Sequence, residues 1–529
     1  MAMKFGAVRR ALEGVEKGFD AAFTPAWNPI SQLGALGWFF YWVVVVTGIY
    51  LYIFFDTGIH AAYDSVEYLT HVQWYAGGVM RSLHRYASDA MVLVMLLHLT
   101  REYVMGRLHG PRWFTWIVGI PVMWAVFASG ISGYWLVWDR LAQYVAVATT
   151  EWLDALPVFG QPIARNFLDQ DALSGRFFTL MIFIHIGVPL FLLFLMWLHI
   201  SRLTHSKVNP PRGLAAGSLL MLVALALWRP ALSQGPADLN SVPGVLRIDW
   251  YYLFALPAQD AVSGAWVWIA VAAGTLALAV APWVRRGARV PVAVVDLNNC
   301  NGCGRCFADC PYGAVTLQPR SDGSAYSHEA VVRPDLCAGC GICTGACPTA
   351  TPFRRRSELV AGIERPDFPV RVLRERSLEA ARRLQGEARV LIYGCEPRGG
   401  LAAVEDGATA VVTLPCIGML PPPFIDFLLT RHHVDGILLA GCREGACFHR
   451  LGIEWTLRRI ARERDPYLRE RVSRERIGGA FAGAGEVGRV AAELAALRAR
   501  LRASGALEGV SGRCVEGPAA KASVERANG

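Results

Sequence analysis

Four histidines are spaced so that they could hold metal. His84 and His98 stand fourteen residues apart in the stretch 78–104, and His185 and His199 stand fourteen apart in the stretch 175–202. On a helix, fourteen residues span about 21 Å and return the second side chain to nearly the same face. Each stretch is long enough to cross a bilayer. Two such helices facing each other can ligate two haems axially, one near each membrane surface. The plainer reading is a set of polar contacts inside a bundle, and the matched second pair argues against it. A second constellation lies further along. No cysteine precedes Cys300, and twelve of the thirteen fall between Cys300 and Cys447. Cys300, Cys303, Cys306 and Cys310, followed by Pro311, recur 37 residues later as Cys337, Cys340, Cys343 and Cys347, followed by Pro348. In a cytosolic setting such regular spacing favours metal over disulfides. Zinc could use two C-x2-C pairs, but it has no need of three cysteines at successive x2 spacing followed by x3 and Pro.

The elements that must position these residues follow from composition and periodicity. At 529 residues, 53% hydrophobic and with a mean hydropathy of +0.32, the chain is too apolar for an ordinary soluble protein and long enough for several domains. A net charge of +9 could suggest nucleic acid, but much of it flanks apolar spans, and that reading is rejected. Residues 4–23 form an amphipathic stretch without the apolar core or cleavage site of a signal peptide, expected at the membrane surface. Six spans follow, at about 34–55, 78–104, 114–138, 176–203, 214–229 and 263–284, the fifth being short. Arg101, Arg107 and Arg112 follow the second span, Arg202, Lys207 and Arg212 the fourth, and Arg285, Arg286 and Arg289 the sixth; the first loop carries Asp56, Asp64 and Glu67. Positive-inside bias then puts both termini in the cytoplasm, with His84 and His185 toward the outer face. The resulting expectation is an amphipathic segment at 1–30 and an all-α transmembrane bundle at 31–290.

Roughly residues 25–284 resemble cytochrome b of the cytochrome bc complexes. The matching residues are Gly34 and Gly48 in the first span, Arg-Ser-Leu-His at Arg81–His84, His-Leu-Thr-Arg at His98–Arg101, Gly130 and Gly133 in the third span, and the Phe pair before His185. The resemblance implies that His84 pairs with His185 and His98 with His199, that Gly34, Gly48 and Gly130 give haem room, and that Arg81 and Arg101 meet haem propionates. With no C-x-x-C-H sequence and no cysteine in the membrane part, the haems are expected to be b-type.

The stretch 140–160 resembles the surface helix that roofs the family's outer quinone site. Ile248–Tyr252, IDWYY, stands where the family has Pro-Glu-Trp-Tyr, so Asp249 takes the place of its glutamate. A carboxylate there could accept a quinol proton if it can swing toward water; it could equally open a helix. The family's Pro-Trp-Gly reads Val137-Trp138-Asp139 here, and the roof-helix glycine aligns near Val145. His205, six residues beyond His199, stands near the family's quinone-contacting histidine or is a solvated loop residue.

The doubled cysteine motif resembles a two-cluster bacterial ferredoxin, whose fourth cysteine crosses to the other cluster. That resemblance implies one 4Fe-4S cluster on Cys300, Cys303, Cys306 and Cys347, and another on Cys337, Cys340, Cys343 and Cys310, in a ferredoxin-type α+β domain at 293–353. A basic, Pro-containing connector at 354–386 leads to an α/β pattern. VLIYGC, AVVTLPC and GILLAGC read as buried parallel strands. They bring Cys395, Cys416 and Cys442 to the carboxyl edge of a small parallel sheet, with Cys447 one short loop further on. Residues 387–505 resemble the delta subunit of methyl-viologen-reducing hydrogenase, through Gly441–Arg450 and Pro415–Met419. The resemblance implies a 2Fe-2S cluster; zinc and catalytic thiols are the other readings. The stretch 506–529, with Cys514, reads as a disordered tail.

Together these features read as a multi-pass subunit of a bacterial or archaeal cytoplasmic membrane, with its iron–sulfur domains in the cytoplasm. Its expected activity is that of a quinone/quinol oxidoreductase subunit, linking the membrane quinone pool through two b haems to the clusters. No flavin, nicotinamide, molybdenum or nickel–iron signature is visible. The expected partner is thus a cytoplasmic flavoprotein or a hydrogenase- or heterodisulfide-reductase-like assembly within an oligomeric complex, with room for a Rieske protein outside. The alternative is an electron-transfer and anchor module without a quinone site of its own.

Overall fold

The computed structural model describes residues 2–59, 61–158, 175–284, 291–353, 359–397, 399–432, 434–483 and 485–503. The chain divides into two compact units, 1–290 with the short segments 311–314 and 334–338, and the remainder. The tail at 506–529, Cys514, Arg285, Arg286 and Arg289 lie outside the described residues.

The first unit is helical. Its helices are α1 (Ala2–Trp27), α2 (Leu33–Phe54), α3 (Ala61–Glu67), α4 (Val79–Val104), α5 (Trp113–Val137), α6 (Arg140–Asp154), α7 (Gly175–Ile200), α8 (Arg212–Trp228), α9 (Ala255–Val262) and α10 (Gly264–Val284). All six expected spans are helices. Four are long and apolar enough to cross a membrane: Pro29–Phe54, Gly110–Val137, Phe178–Ile200 and Gly264–Val284. Helix α4 has the length, with 26 residues or about 39 Å, but Arg81, Arg85, Asp89, Arg101 and Glu102 lower its hydropathy. Helix α8, with 17 residues, is apolar but short. The tightest pairings are α2 with α4 and α5 with α7. Phe40, Leu83, Val92, Met123 and Leu192 belong to the buried cluster between them.

In the second unit, two antiparallel ribbons frame the first cysteines: β1 (Val294–Val295) with β4 (Ile363–Glu364), and β2 (Val315–Pro319) with β3 (His328–Val332). The short helices α11 (Arg305–Asp309) and α12 (Ile342–Ala346) each run into the last cysteine of one repeat. A four-stranded parallel sheet follows, ordered β6-β5-β7-β8, from β5 (Val390–Cys395), β6 (Thr409–Leu414), β7 (Gly436–Gly441) and β8 (Ile477–Phe481). Strands β5 and β7 are buried at every position, as continuous apolar runs in a parallel sheet should be. Helices α13 (Val370–Arg383), α14 (Pro422–Arg431), α15 (Gly452–Ile460) and α16 (Val487–Ala503) complete the unit. The stretch 354–386 is more than a connector, because α13 occupies much of it. Its buried face is Val370, Leu373, Ser377, Ala380 and Ala381, a helical stripe hidden among five arginines.

Candidate haem and iron–sulfur sites

Each tight helix pair sets a glycine helix against a histidine helix. A Cβ added at Gly34 would lie 3.4 Å from His98 Cε1, and one at Gly48 would lie 3.0 Å from His84 Cε1. Across the other pair, a Cβ at Gly119 would lie 3.2 Å from His199 Cε1, and one at Gly133 would lie 2.8 Å from His185 Cε1. The backbones approach this closely only because no side chain intervenes. The near ring nitrogens are also held. His84 Nδ1 is 3.0 Å from the Val44 carbonyl and 3.2 Å from Thr47 Oγ1; His185 Nδ1 is 3.0 Å from the Ser129 carbonyl and 3.2 Å from Ser132 Oγ. An Nδ1–H donated to a carbonyl fixes the tautomer and leaves Nε2 as a metal ligand.

The donor set fits axial ligation. The His84 and His185 rings have centroids 6.3 Å apart. Two metal–nitrogen bonds of about 2.0 Å, each with about 1.1 Å from nitrogen to ring centre, require roughly 6 Å. Arg101 supplies a second sign. Its Nε donates to Glu16 at 2.7 Å and its Nη1 to Glu102 at 3.3 Å, while Nη2 is buried without a hydrogen-bond partner. That is a donor in place for a buried anion such as a propionate. Arg81, by contrast, is engaged with Thr70, Ser233 and Glu67.

Gly130, expected to give haem room, has a tyrosine as its neighbour. A Cβ there would run into the ring of Tyr252, so this glycine makes room for a tyrosine and not for an imidazole. The fourth histidine-facing glycine is Gly119, which sequence reasoning missed. Its signal was available: Gly119 and Gly133 are fourteen apart, as are Gly34 and Gly48 and each histidine pair.

Asp249 is buried and gripped. Arg85 Nη2 lies 2.9 Å from Oδ2, which Tyr134 OH also donates to, and Oδ1 accepts the Tyr251 N–H at 2.8 Å. Its side chain is 1% exposed. The residue that could swing toward water therefore has both oxygens occupied in this conformation. Tyr252, three residues on, has its hydroxyl 2.6 Å from Ser88 Oγ and donates to the Ser88 carbonyl at 3.0 Å. The expected roof helix is α6, capped by Asp139, whose Oδ1 accepts the Ala142 N–H at 2.8 Å. Trp138 adopts φ 50 where the family pattern has a glycine one residue later. His205 is exposed in the turn after α7, at φ 49.

The cysteine repeats share one backbone. Gly302 and Gly339, at φ 65 and 58, and Gly304 and Gly341, at φ 74 and 75, turn the chain around successive cysteines in left-handed conformations. A small cavity is lined by Cys300, Cys303, Cys306 and Cys347 together. The crossing cysteine thus joins the first three. Burial, and then the neighbouring Cys347, Cys303 and Cys300, push the Cys306 thiol up to about 12. Cys310 ends α11 as Cys347 ends α12, so repeat symmetry points it toward the set of Cys337, Cys340 and Cys343.

Cys395, Cys416 and Cys442 sit at or just past the carboxyl ends of β5, β6 and β7, with Cys447 beside them. The Cys395 thiol neighbours those of Cys416 and Cys442, and the Cys447 thiol neighbours the same two. Cys395 Sγ accepts the Ile417 N–H at 3.2 Å. Neighbouring Cys416 lowers the Cys395 thiol, but neighbouring Cys442 and burial win and carry it to about 12. The neighbouring Cys395 and Cys447, then burial, raise Cys416 well above the usual range, whereas Cys447 is held well below it by Cys416 and Cys442. Among the described residues, no three His, Cys, Asp or Glu side chains have the convergence that a single metal ion requires.

Comparison with known proteins matches three family models in chain order. Cytochrome b/b6/petB covers residues 20–207, a 4Fe-4S dicluster domain 299–351, and the delta subunit of methyl-viologen-reducing hydrogenase 403–505. Cys395 precedes the third match. A curated cytochrome b6 from Auxenochlorella protothecoides is 31% identical over 175 residues, 32% of this chain and 79% of that protein. A solved chain of a hyperthermophilic respiratory complex III is similar at 20% identity, with a TM-score of 0.41, covering 49% of this chain and 76% of the other. The class is a membrane redox protein, a helical cytochrome with iron–sulfur domains appended. The chain belongs to the cytochrome b/b6 family, which implies haem b, and its dicluster domain implies iron–sulfur clusters.

Proposed function

We propose that this chain links the membrane quinone/quinol pool, through two b haems, to cytoplasmic iron–sulfur clusters and a soluble redox partner. The observation that carries it is the His84–His185 pair at 6.3 Å, repeated fourteen residues on by His98 and His199, each imidazole against its own glycine. In this reading His84 with His185, and His98 with His199, hold the haems; Arg101, and Arg81 after rearrangement, hold propionates. Bound haem and iron–sulfur groups supply one-electron transfer. The protein's residues fix the His84 and His185 imidazoles by Nδ1, keep water from the apolar interior and bring successive donor sets together. Cys300, Cys303, Cys306 and Cys347 would hold one 4Fe-4S cluster, Cys310, Cys337, Cys340 and Cys343 the other, and Cys395, Cys416, Cys442 and Cys447 a 2Fe-2S cluster. The domains would run 1–30, 31–290, 293–353 and 387–505, with a tail at 506–529. The soluble partner in this reading is a cytoplasmic flavoprotein or a hydrogenase- or heterodisulfide-reductase-like assembly.

Quinone chemistry would fall to Asp249, to a site near His205, or to both. A specific observation favours the second reading, an electron-transfer and anchor module: Arg85 and Tyr134 hold Asp249 away from the role of a mobile base. Redox titration of the purified chain with quinol, with and without a site inhibitor, separates the two. Inhibitor-sensitive haem reduction supports the quinone site; reduction only through added iron–sulfur reductants supports the module. In the same preparation, pyridine haemochrome should count two b haems per chain. His98→Ala should lose one of them and keep the iron–sulfur signals.

A further inference from the structure

Arg459, on α15, is the largest of the fully buried side chains among the described residues. Its guanidinium reaches three separate segments of the second unit. Nη1 donates to the Gly418 carbonyl at 2.8 Å, and Nη2 to Asp309 Oδ2 and, at 3.5 Å, to the Ile342 carbonyl. Every contact lies beside a cysteine. Asp309 precedes Cys310, Ile342 precedes Cys343, and Gly418 is two residues past Cys416. The junction is tight: a Cβ at Gly345 would strike the Gly418 carbonyl and lie 2.7 Å from Arg459 Nη1, and one at Gly341 would lie 2.7 Å from Met419 Sδ. Cys340, Ile342, Cys395, Cys416 and Cys442 share one buried cluster. Asp309 is itself buried, accepts Arg464 Nε at 2.7 Å through its other oxygen, and takes the Trp455 indole N–H at 3.2 Å on its carbonyl.

A buried ion pair is a poor source of stability, since desolvating both charges offsets most of their attraction, and well-packed apolar residues often do as well. Its placement is more informative. Arginine stays charged in any protein interior, and a fixed cation in a low-dielectric site favours whichever nearby state carries more negative charge. Reduction adds negative charge to an iron–sulfur centre, and the potential of such a centre follows net charge, hydrogen bonding and exposure.

We propose that Arg459 is a positioning residue that locks the Cys340–Cys343 segment onto the Cys416 loop and raises the reduction potentials of the two centres held there, relative to the centre of the first repeat. This rests on the reading that both cysteine sets hold iron–sulfur clusters. The cation belongs to both sites at once, so it sets their potentials together and eases electron passage between them.

The test is an anaerobic potentiometric titration of the full chain, followed by electron paramagnetic resonance, with cysteine-to-serine variants assigning each signal. Arg459→Met should move the midpoints of the second-repeat and four-cysteine centres downward, leaving those of the first-repeat centre and the haems in place. Asp309→Asn, which removes the anion and keeps the cation, should move the second-repeat midpoint upward. Arg459→Lys, keeping charge but not the planar fork, should retain full iron and sulfide with a smaller downward shift. Equal shifts in all centres, or none in a variant with full iron, would overturn the proposal. Should Arg459→Met load iron poorly, selective loss from the second-repeat and four-cysteine sites supports the lock, whereas general loss overturns it. A wild-type chain with no cluster signal at the four cysteines sinks the underlying reading instead, whatever the variants do.

Discussion

The two cysteine repeats, 300–310 and 337–347, have the same spacing and nearly the same backbone but opposite surroundings. In the first, Cys303, Phe307 and Ala308 are exposed; in the second, every residue from 339 to 347 is buried. The contrast is sharpest at one position. Ala308 faces solvent, and its counterpart Gly345 lies where the Gly418 carbonyl would collide with any Cβ. A duplicated motif can thus carry two equivalent metal loops while only one half is built into the neighbouring sheet domain. Equivalence of ligands does not make the two centres equivalent as electron carriers.

Removing each half in turn should break the comparison most visibly. A serine pair at Cys337 and Cys340 should cost about four iron atoms per chain and stop haem reduction from a chemically reduced C-terminal domain, with both haems retained. Rapid-mixing spectroscopy in the haem α band, anaerobic and without mediators, reads this. Unchanged haem reduction would mean that the domains are tethered but not wired. A serine pair at Cys300 and Cys303 should lose the same iron and leave the four-cysteine centre's signal unaltered.

The packing difference should appear in stability as well. Gly345→Ala should destabilise the second unit by about 1–3 kcal/mol, because backbone cannot yield as a side chain can. Ala308→Gly, on the exposed side, should cost about 1 kcal/mol at most. Denaturant unfolding followed by cluster absorbance compares them. A finer pair is Gly341→Ala against Gly304→Ala. Their φ values, 75 and 74, match, so the left-handed strain of about 1–2 kcal/mol cancels. What remains is Met419 Sδ at 2.7 Å against Leu317 Cδ1 at 3.2 Å. That difference should cost Gly341→Ala roughly a further 1 kcal/mol.

The smallest effect concerns pH. Cys306 and Cys395 are pushed up to about 12 and Cys442 to about 11, so these three thiols hold their protons at neutral pH when empty. Iron binding must displace those protons. Reconstitution of the emptied protein should therefore quicken as pH rises from about 7 to about 9. A rate independent of pH, by the growth of cluster absorbance, would mean that deprotonation does not limit uptake.

Much of the site was legible beforehand because it is periodic. The histidine ladder, the 37-residue cysteine repeat, the six helical spans and the strands ending in cysteine are all local patterns, and local patterns follow from helix and strand geometry alone. Helix α13 escaped notice because its buried stripe contains serine and alanine, which hydropathy does not mark. The sequence by itself determined which residues could be ligands and which elements carry them. Only the tertiary structure decided that Gly119 and not Gly130 faces an imidazole, that Arg85 and Tyr134 hold Asp249, and that Arg459 meets Asp309 across 150 residues. Those outcomes depend on side chains far apart in the chain arriving at one place, and no spacing within either segment encodes its partner.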